Sequence, residues 1–150
     1  MLILDTNHID ILMYEGPRQD LLRARLNAYT GEVYTTIITV QESVEGWFNK
    51  VNDGRASSLE YVRYYRKLEG LVSFYSKWRI LSFDERAAQQ YDRLKSHRAA
   101  SRRMNDLKIA AIALCNRATV LTANVRDFDN IEGLSIEDWS LDPPLDVPPA

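Results

Sequence analysis

The chain has few of the residues that form covalent cross-links or soft-metal sites. It contains one cysteine, Cys115, in 150 residues, which excludes an internal disulfide and a cysteine-bound metal cluster. No apolar run approaches the roughly 20 residues that span a bilayer. The N-terminus lacks the basic segment, apolar segment and cleavage site of an export signal. We therefore expect a cytoplasmic protein without a membrane segment.

An excess of positive charge is also lacking. The formal net charge is −2, which is not that of a general nucleic-acid coat protein. The distribution is uneven, because residues 93–108 hold six cations and one acid, whereas residues 127–150 hold seven acids and no Lys or Arg. Such a basic run is most simply a solvated helix face and loop.

Short β-branched runs alternate with helical apolar periodicity along the chain. Strands are predicted at 2–4, 33–36, 78–81 and 119–122, with a fifth at 134–136. Helices are predicted at 6–13, from 17 to about 29, after Thr36 or Thr39, and at 58–75, 85–96 and 107–117. This alternation predicts an α/β protein, a three-layer α/β/α sandwich with a central parallel sheet of four to five strands. We predict one domain, residues 1–140, and a Pro-rich C-terminal tail, residues 141–150.

The first strand is followed at once by a carboxylate. Leu2, Ile3 and Leu4 form the apolar run of a strand buried on both faces, and Asp5 comes directly after it. Open α/β sheets build their sites at the carboxyl ends of their strands. Asp is also a good N-cap for the helix that begins near Thr6. This stretch alone leaves both roles open.

Three more acids fall where this architecture would bring them close to Asp5. Glu42 lies early in the helix after the second strand, Asp106 at the start of the buried helix, and Asp127 after the fourth strand. Carboxylates that share a pocket repel one another unless a cation holds them, and a set of oxygen ligands suits Mg²⁺ or Mn²⁺. Each acid also has an ordinary interpretation: Asp106 as an N-cap, and Glu42 as a surface acid. Glu45 and Asp129 are rivals for the roles of Glu42 and Asp127.

Four sequence blocks resemble the PIN-domain family, specifically the VapC-like ribonuclease toxins of type II toxin–antitoxin pairs. The blocks are Leu4 to Asn7, Ile38 to Glu42 with Gly46, Asn105 to Ala111, and Leu121 to Phe128. The ending from Ile131 to Trp139 is also similar to the family's close. The resemblance assigns metal binding to Asp5, Glu42, Asp106 and Asp127. It implies supporting polar roles for Thr6, Asn7, Thr122 and Asn124.

The resemblance implies a metal-dependent endoribonuclease, with Mg²⁺ or Mn²⁺ as cofactor and RNA as substrate. A metal-activated water would cleave the phosphodiester, because no His pair suited to attack by the ribose 2′-hydroxyl is apparent. The candidates to hold the RNA backbone are Arg98, Arg102, Arg103 and Lys108. The implied partners are a cognate antitoxin protein and a second copy of the chain, since homodimers are expected in the family.

Two other interpretations were weighed. A catalytically weak PIN-like module that acts mainly by binding an antitoxin and operator DNA is the alternative. An aspartyl phosphatase is disfavoured, since those enzymes usually need a second Asp where this chain has Asn7. His8 and Glu45 depart from the family pattern. His8 is most simply surface variation, although a side chain that reached the pocket would modulate metal affinity or contact phosphate.

Overall fold

A computed structural model describes residues 1–96 and 104–142. The five strands are β1 (Leu2–Leu4), β2 (Val33–Thr36), β3 (Ile80–Leu81), β4 (Thr119–Leu121) and β5 (Ser135–Glu137). The six helices are α1 (Thr6–Met13), α2 (Pro17–Ala28), α3 (Ile37–Asn52), α4 (Ser58–Tyr75), α5 (Glu85–Ser96) and α6 (Met104–Asn116). A 3₁₀ turn, Val125–Asp127, lies between β4 and β5.

The sheet is parallel throughout, with strand order β3-β2-β1-β4-β5. The strand β1 is central, and its residue Ile3 is in register with Tyr34 on one side and Val120 on the other. The chain first builds the sheet outwards through β2 and β3 and then returns to the opposite side of β1 with β4. Open α/β sheets bind ligands at such a reversal, outside the carboxyl ends of the strands.

Two hydrophobic cores cover the two faces of the sheet. Ile3 points into the core that contains the buried residues of α5 and α6. Leu2 and Leu4 point into the other core, with buried residues of α1, α2 and α4. This alternation follows from the two-residue period of a strand. The predicted three-layer α/β/α sandwich is confirmed.

Several predicted element boundaries were wrong. The strand predicted at 119–122 ends at Leu121, and the helix predicted at 107–117 ends at Asn116. The strand predicted at 78–81 begins at Ile80, because the backbone N–H of Trp78 still bonds to the carbonyl of Tyr75 at the end of α4. The last helix begins at Met104, not at Leu107. Asp106 therefore lies within its first turn and is not its N-cap. The strand predicted at 134–136 lies one residue later in the chain.

The predicted C-terminal tail lies mostly outside the described residues. The predicted tail is described only at residues 141 and 142, so its extent stays a prediction. In the part of the chain that is described, no helix is long and apolar enough to cross a membrane.

Candidate active site

Asp5 is a buried carboxylate at the centre of the carboxyl edge of the sheet. It follows β1, and its backbone N–H bonds to the carbonyl of Leu121, the last residue of β4, at 3.1 Å. Its Oδ1 accepts the backbone N–H of His8 at 3.0 Å, which makes it the N-cap of α1. Its Oδ2 accepts the side-chain N–H of Asn7 at 3.2 Å. Asp5 is therefore the N-cap of α1, and only 3% of its surface is exposed; its role in a site stays a prediction.

The surroundings of Asp5 disfavour its ionised form. Burial raises the pKa of the Asp5 carboxyl above its ordinary value, and the nearby charge of Glu42 raises it further. Hydrogen bonds from the Thr122 side chain, the His8 backbone and the Asn7 side chain oppose this shift without cancelling it. A buried carboxylate beside a second acid is stabilised by a bound cation.

Glu42 lies in the second turn of α3, which Thr36 caps by accepting the backbone N–H of Thr39. The hydroxyl of Thr6 donates to Glu42 Oε2. The side-chain N–H of Asn105 donates to Glu42 Oε1 at 3.0 Å. Both oxygens of the carboxylate are thus fixed, one from α1 and one from α6. Glu45 is exposed.

The amide of Asn105 is oriented by a cation. Lys108 Nζ donates to Asn105 Oδ1 at 3.3 Å. Because an ammonium only donates and a carboxylate only accepts, the amide oxygen faces Lys108 and the amide N–H faces Glu42. Lys108, predicted as an RNA contact, thus has a place in the hydrogen-bond network of the site.

The other two predicted acids lie on elements that border this edge of the sheet. Asp106 is half-buried in the first turn of α6, directly after Asn105. Asp127 ends the 3₁₀ turn and accepts the side-chain N–H of Asn124. The backbone N–H of Asn124 bonds to the Thr122 hydroxyl at 2.9 Å. The predicted supporting residues Thr122 and Asn124 therefore form a connected polar loop after β4.

Sequence reasoning missed three polar residues near Glu42. Asn105 belongs to one of the four sequence blocks, but no role was predicted for it. Asp10 of α1 has a raised carboxyl pKa, caused first by burial and then by the charge of Glu42. Tyr75, whose pKa burial raises to about 12, hydrogen-bonds through its hydroxyl to the hydroxyl of Ser43 at 2.6 Å. Periodicity explained Tyr75 as core only, and no sequence signal singled out Asp10.

His8, predicted as surface variation, is fully buried, and that prediction is wrong. Its Nε2 accepts the backbone N–H of Trp139 at 3.2 Å, so the ring is neutral with its proton on Nδ1. Nδ1 lies 3.9 Å from Asp5 Oδ1. Burial lowers the pKa of His8 to about 4, against the opposing charge of Asp138, while Arg18 lowers it further. His8 joins the end of the chain's last strand to the helix that carries Asp5.

The donor set fits a hard divalent cation in its chemistry, because Asp5 and Glu42 are oxygen ligands whose mutual repulsion an ion would relieve. Within residues 1–96 and 104–142, however, no three Asp, Glu, His or Cys side chains are grouped so as to hold a metal ion. The full set of four acids therefore stays a prediction. Arg98, Arg102 and Arg103 lie outside the described residues.

Comparisons with known proteins agree with this fold. The PIN domain family model matches residues 2–134. Ribonuclease VapC2 of Haemophilus influenzae is 26% identical over 140 residues, which cover 91% of this chain and 96% of that protein. The tRNA(fMet)-specific endonuclease VapC of Salmonella typhimurium is 29% identical over the same shares.

Two solved structures are also similar. DNA-bound VapBC from Salmonella typhimurium matches with a TM-score of 0.68 and 26% identity, over 92% of this chain and 97% of that one. VapBC-1 from nontypeable Haemophilus influenzae matches with a TM-score of 0.71 over 93% and 98% of the two chains, at 24% identity, which bears on the fold alone. The resemblance expected from the four sequence blocks is confirmed, and this chain belongs to the PIN domain family.

Proposed function

We propose that this protein is a metal-dependent endoribonuclease and the toxin of a type II toxin–antitoxin pair. The observation that carries the proposal is the pair of Asp5 and Glu42 at the carboxyl edge of the sheet, with donors fixing both oxygens of each carboxylate. The names of the relatives, ribonuclease VapC2 and tRNA(fMet)-specific endonuclease VapC, support RNA as the substrate.

Asp5 and Glu42 would hold Mg²⁺ or Mn²⁺, with Asp106 and Asp127 completing the ligand set directly or through water. When bound, such an ion activates water and stabilises the charge that develops on the phosphodiester oxygens. The chain's own contribution is preorganisation. Asn7 and the His8 backbone orient Asp5, and Thr6 and Asn105 orient Glu42, so the carboxylates need little rearrangement before they bind.

The cleavage test uses purified protein and end-labelled RNA. We expect cleavage with Mg²⁺ or Mn²⁺, no cleavage in excess EDTA, and a loss of activity in Asp5→Asn and Glu42→Gln. Calorimetric titration with Mn²⁺ reads metal binding separately from activity, and both variants should bind it more weakly. Asp20→Asn is the matched control, because Asp20 is an exposed acid in the first turn of α2. Full cleavage in excess EDTA would reject the proposal.

We also propose a cognate antitoxin protein as partner. Several of the matched solved structures are VapBC or toxin–antitoxin complexes, and three matched structures contain DNA. These structures also favour the alternative function, a catalytically weak module that binds an antitoxin and operator DNA. Cleavage assays and operator gel shifts, each with and without the antitoxin, separate the two functions. Gel shifts without any cleavage would favour the alternative.

A homodimer is proposed on the exposed apolar side chains of α3 and α4. Phe48 is 51% exposed, Tyr65 52% and Val72 70%, although other aromatic residues of α4 are in the core. Apolar surface of this kind marks interaction sites. Light scattering at micromolar concentration should give the mass of two chains, and a monomer would count against the dimer.

Fractionation of cells that make the protein tests the expected cytoplasmic location.

A further inference from the structure

A basic groove lies between α1, α2 and α4, at the end of α1 that is opposite to Asp5. Its cavity has a volume of about 760 Å³. Four cations, Arg23, Arg63, Arg66 and Lys67, and one acid, Glu15, are among its lining residues. The groove is therefore positively charged, whereas the chain as a whole has a net charge of −2.

The cations of α4 are available to a ligand. Arg63, Arg66 and Lys67 are exposed, and within residues 1–96 and 104–142 none of them forms an ion pair with a carboxylate. Residues three and four apart lie on the same helix face, about 5–6 Å from each other. Arg63 with Arg66 or Lys67 therefore presents a row of cations along one side of the groove.

On the opposite wall, the cation Arg23 is anchored to the backbone of α1. The guanidinium of Arg23 donates to the carbonyl of Leu12 at 3.2 Å, and the side-chain N–H of Gln19 donates to the same carbonyl at 2.7 Å. Arg23 is thereby held at the groove with further N–H donors available, since guanidinium has five. Phe74 also lines the groove and is half-buried against the core.

The helix α1 connects this groove to the candidate active site. Asp5 is its N-cap and accepts the backbone N–H of His8, and Leu12 and Met13 in its last turn line the groove. Eight residues of helix are about 12 Å long, so the distance between the two ends of α1 is no more than the length of a few nucleotides.

We infer that this groove binds the phosphate backbone of single-stranded RNA a few nucleotides away from the cleaved bond. The inference rests on the proposed ribonuclease function. Arginine matches phosphate oxygens with two parallel hydrogen bonds, and contacts of this kind position the strand without reading its sequence. The cavity beside Tyr29 and Trp139 is different, because Glu137, Asp138 and Asp142 are among the residues that line it, and these acids would repel phosphate.

The test measures binding of a fluorescent single-stranded RNA by anisotropy, in an Asp5→Asn background that prevents cleavage. Arg63→Glu with Lys67→Glu should weaken binding at least tenfold. Arg63→Gln with Lys67→Gln, which perturbs folding less, should weaken it several-fold. If two phosphate contacts are lost, the slope of log affinity against log salt should fall by about 1.4.

The matched control is Arg55→Glu with Lys77→Glu, which changes the net charge by the same amount at two exposed cations outside the groove. It should stay within about twofold of the unmodified background. Equal losses in groove and control variants would show a bulk charge effect and overturn the inference. A groove variant that binds RNA normally but no longer binds an acidic helical peptide would assign the groove to a protein partner instead, and would also overturn it.

Cleavage by the chain without substitutions separates the two proposals. Metal-dependent cleavage together with unchanged RNA binding by both groove variants rejects the groove and leaves the ribonuclease standing. A chain that neither binds nor cleaves RNA rejects both.

Discussion

Asp5 and Glu42 are neighbouring carboxylates that different parts of the chain hold in place. The donors to Asp5 from Asn7 and His8 are two and three residues away in sequence. The donors to Glu42, Thr6 and Asn105, are 36 and 63 residues away. Asp5 is therefore oriented by the first turn of its own helix together with one distant donor, the side chain of Thr122 after β4, whereas both donors to Glu42 are distant and come from two other helices. We therefore expect Asp5 to be disturbed mainly by substitutions close to it in sequence, and Glu42 by substitutions far from it in sequence.

The largest effect is expected for Asp5→Asn. Cleavage should fall by about three orders of magnitude or more, because metal ligation contributes several kcal/mol to the transition state. Thermal stability should not fall, since Asn is as good an N-cap as Asp and carries no buried charge. Cleavage rates and thermal melts of the metal-free protein measure the two effects. A large drop in Tm would show that the Asp5 carboxylate contributes more to the fold than its role as the N-cap of α1.

The next effect tests the long-range support of Glu42. Asn105→Ala removes its donor from α6, and such supporting residues typically contribute 10–100-fold to metal affinity or activity. We expect a loss of that size in kcat and in Mn²⁺ affinity, with KM for RNA little changed. Asn116→Ala is the matched control, because Asn116 donates to a carbonyl at the other end of the same helix. Equal losses in both variants would indicate general damage to α6.

The third prediction concerns pH and the buried His8. Its pKa is about 4 in the folded protein and about 6.5 in the unfolded chain, so the unfolded chain binds the extra proton first as the pH falls. The free energy of unfolding should therefore decrease between about pH 6.5 and pH 4, by roughly 3 kcal/mol at most. Urea melts of the metal-free protein measure this decrease. His8→Gln, neutral throughout, should lack that part of the pH dependence, and an unchanged profile would contradict the assignment.

The smallest effect is expected at Tyr75. Its hydroxyl bonds to Ser43, the neighbour of Glu42, and so joins α3 to α4. Tyr75→Phe should lower the free energy of unfolding by about 1 kcal/mol, the usual contribution of one hydrogen bond. Cleavage should change by no more than a few-fold, because Thr6 and Asn105 still orient Glu42. Ser43→Ala should give a similar result in both measurements, whereas a loss as large as that of Asn105→Ala would place Tyr75 among the residues that orient Glu42.

The difference between the local contacts of Asp5 and the distant contacts of Glu42 also explains which parts of the site were predictable. Asp5 was found at once, because a strand of Leu2, Ile3 and Leu4 followed by an N-cap is a local pattern. The sequence left open whether Asp5 is a cap or a site residue. The contact to His8 confirms the cap, and the role in the site stays a prediction. The buried state of His8 was not predictable, since it depends on Trp139 and Asp138, which are about 130 residues away.

The order of short strands and amphipathic helices by itself determined the parallel sheet and its three layers, because periodicity records which faces are buried. Tertiary structure alone decided that Asn105, oriented by Lys108, supports Glu42. It also placed cations from α2 and α4 on one groove. Hydrogen bonds and charge clusters between distant segments depend on how the helices pack, and a one-dimensional pattern does not contain that information.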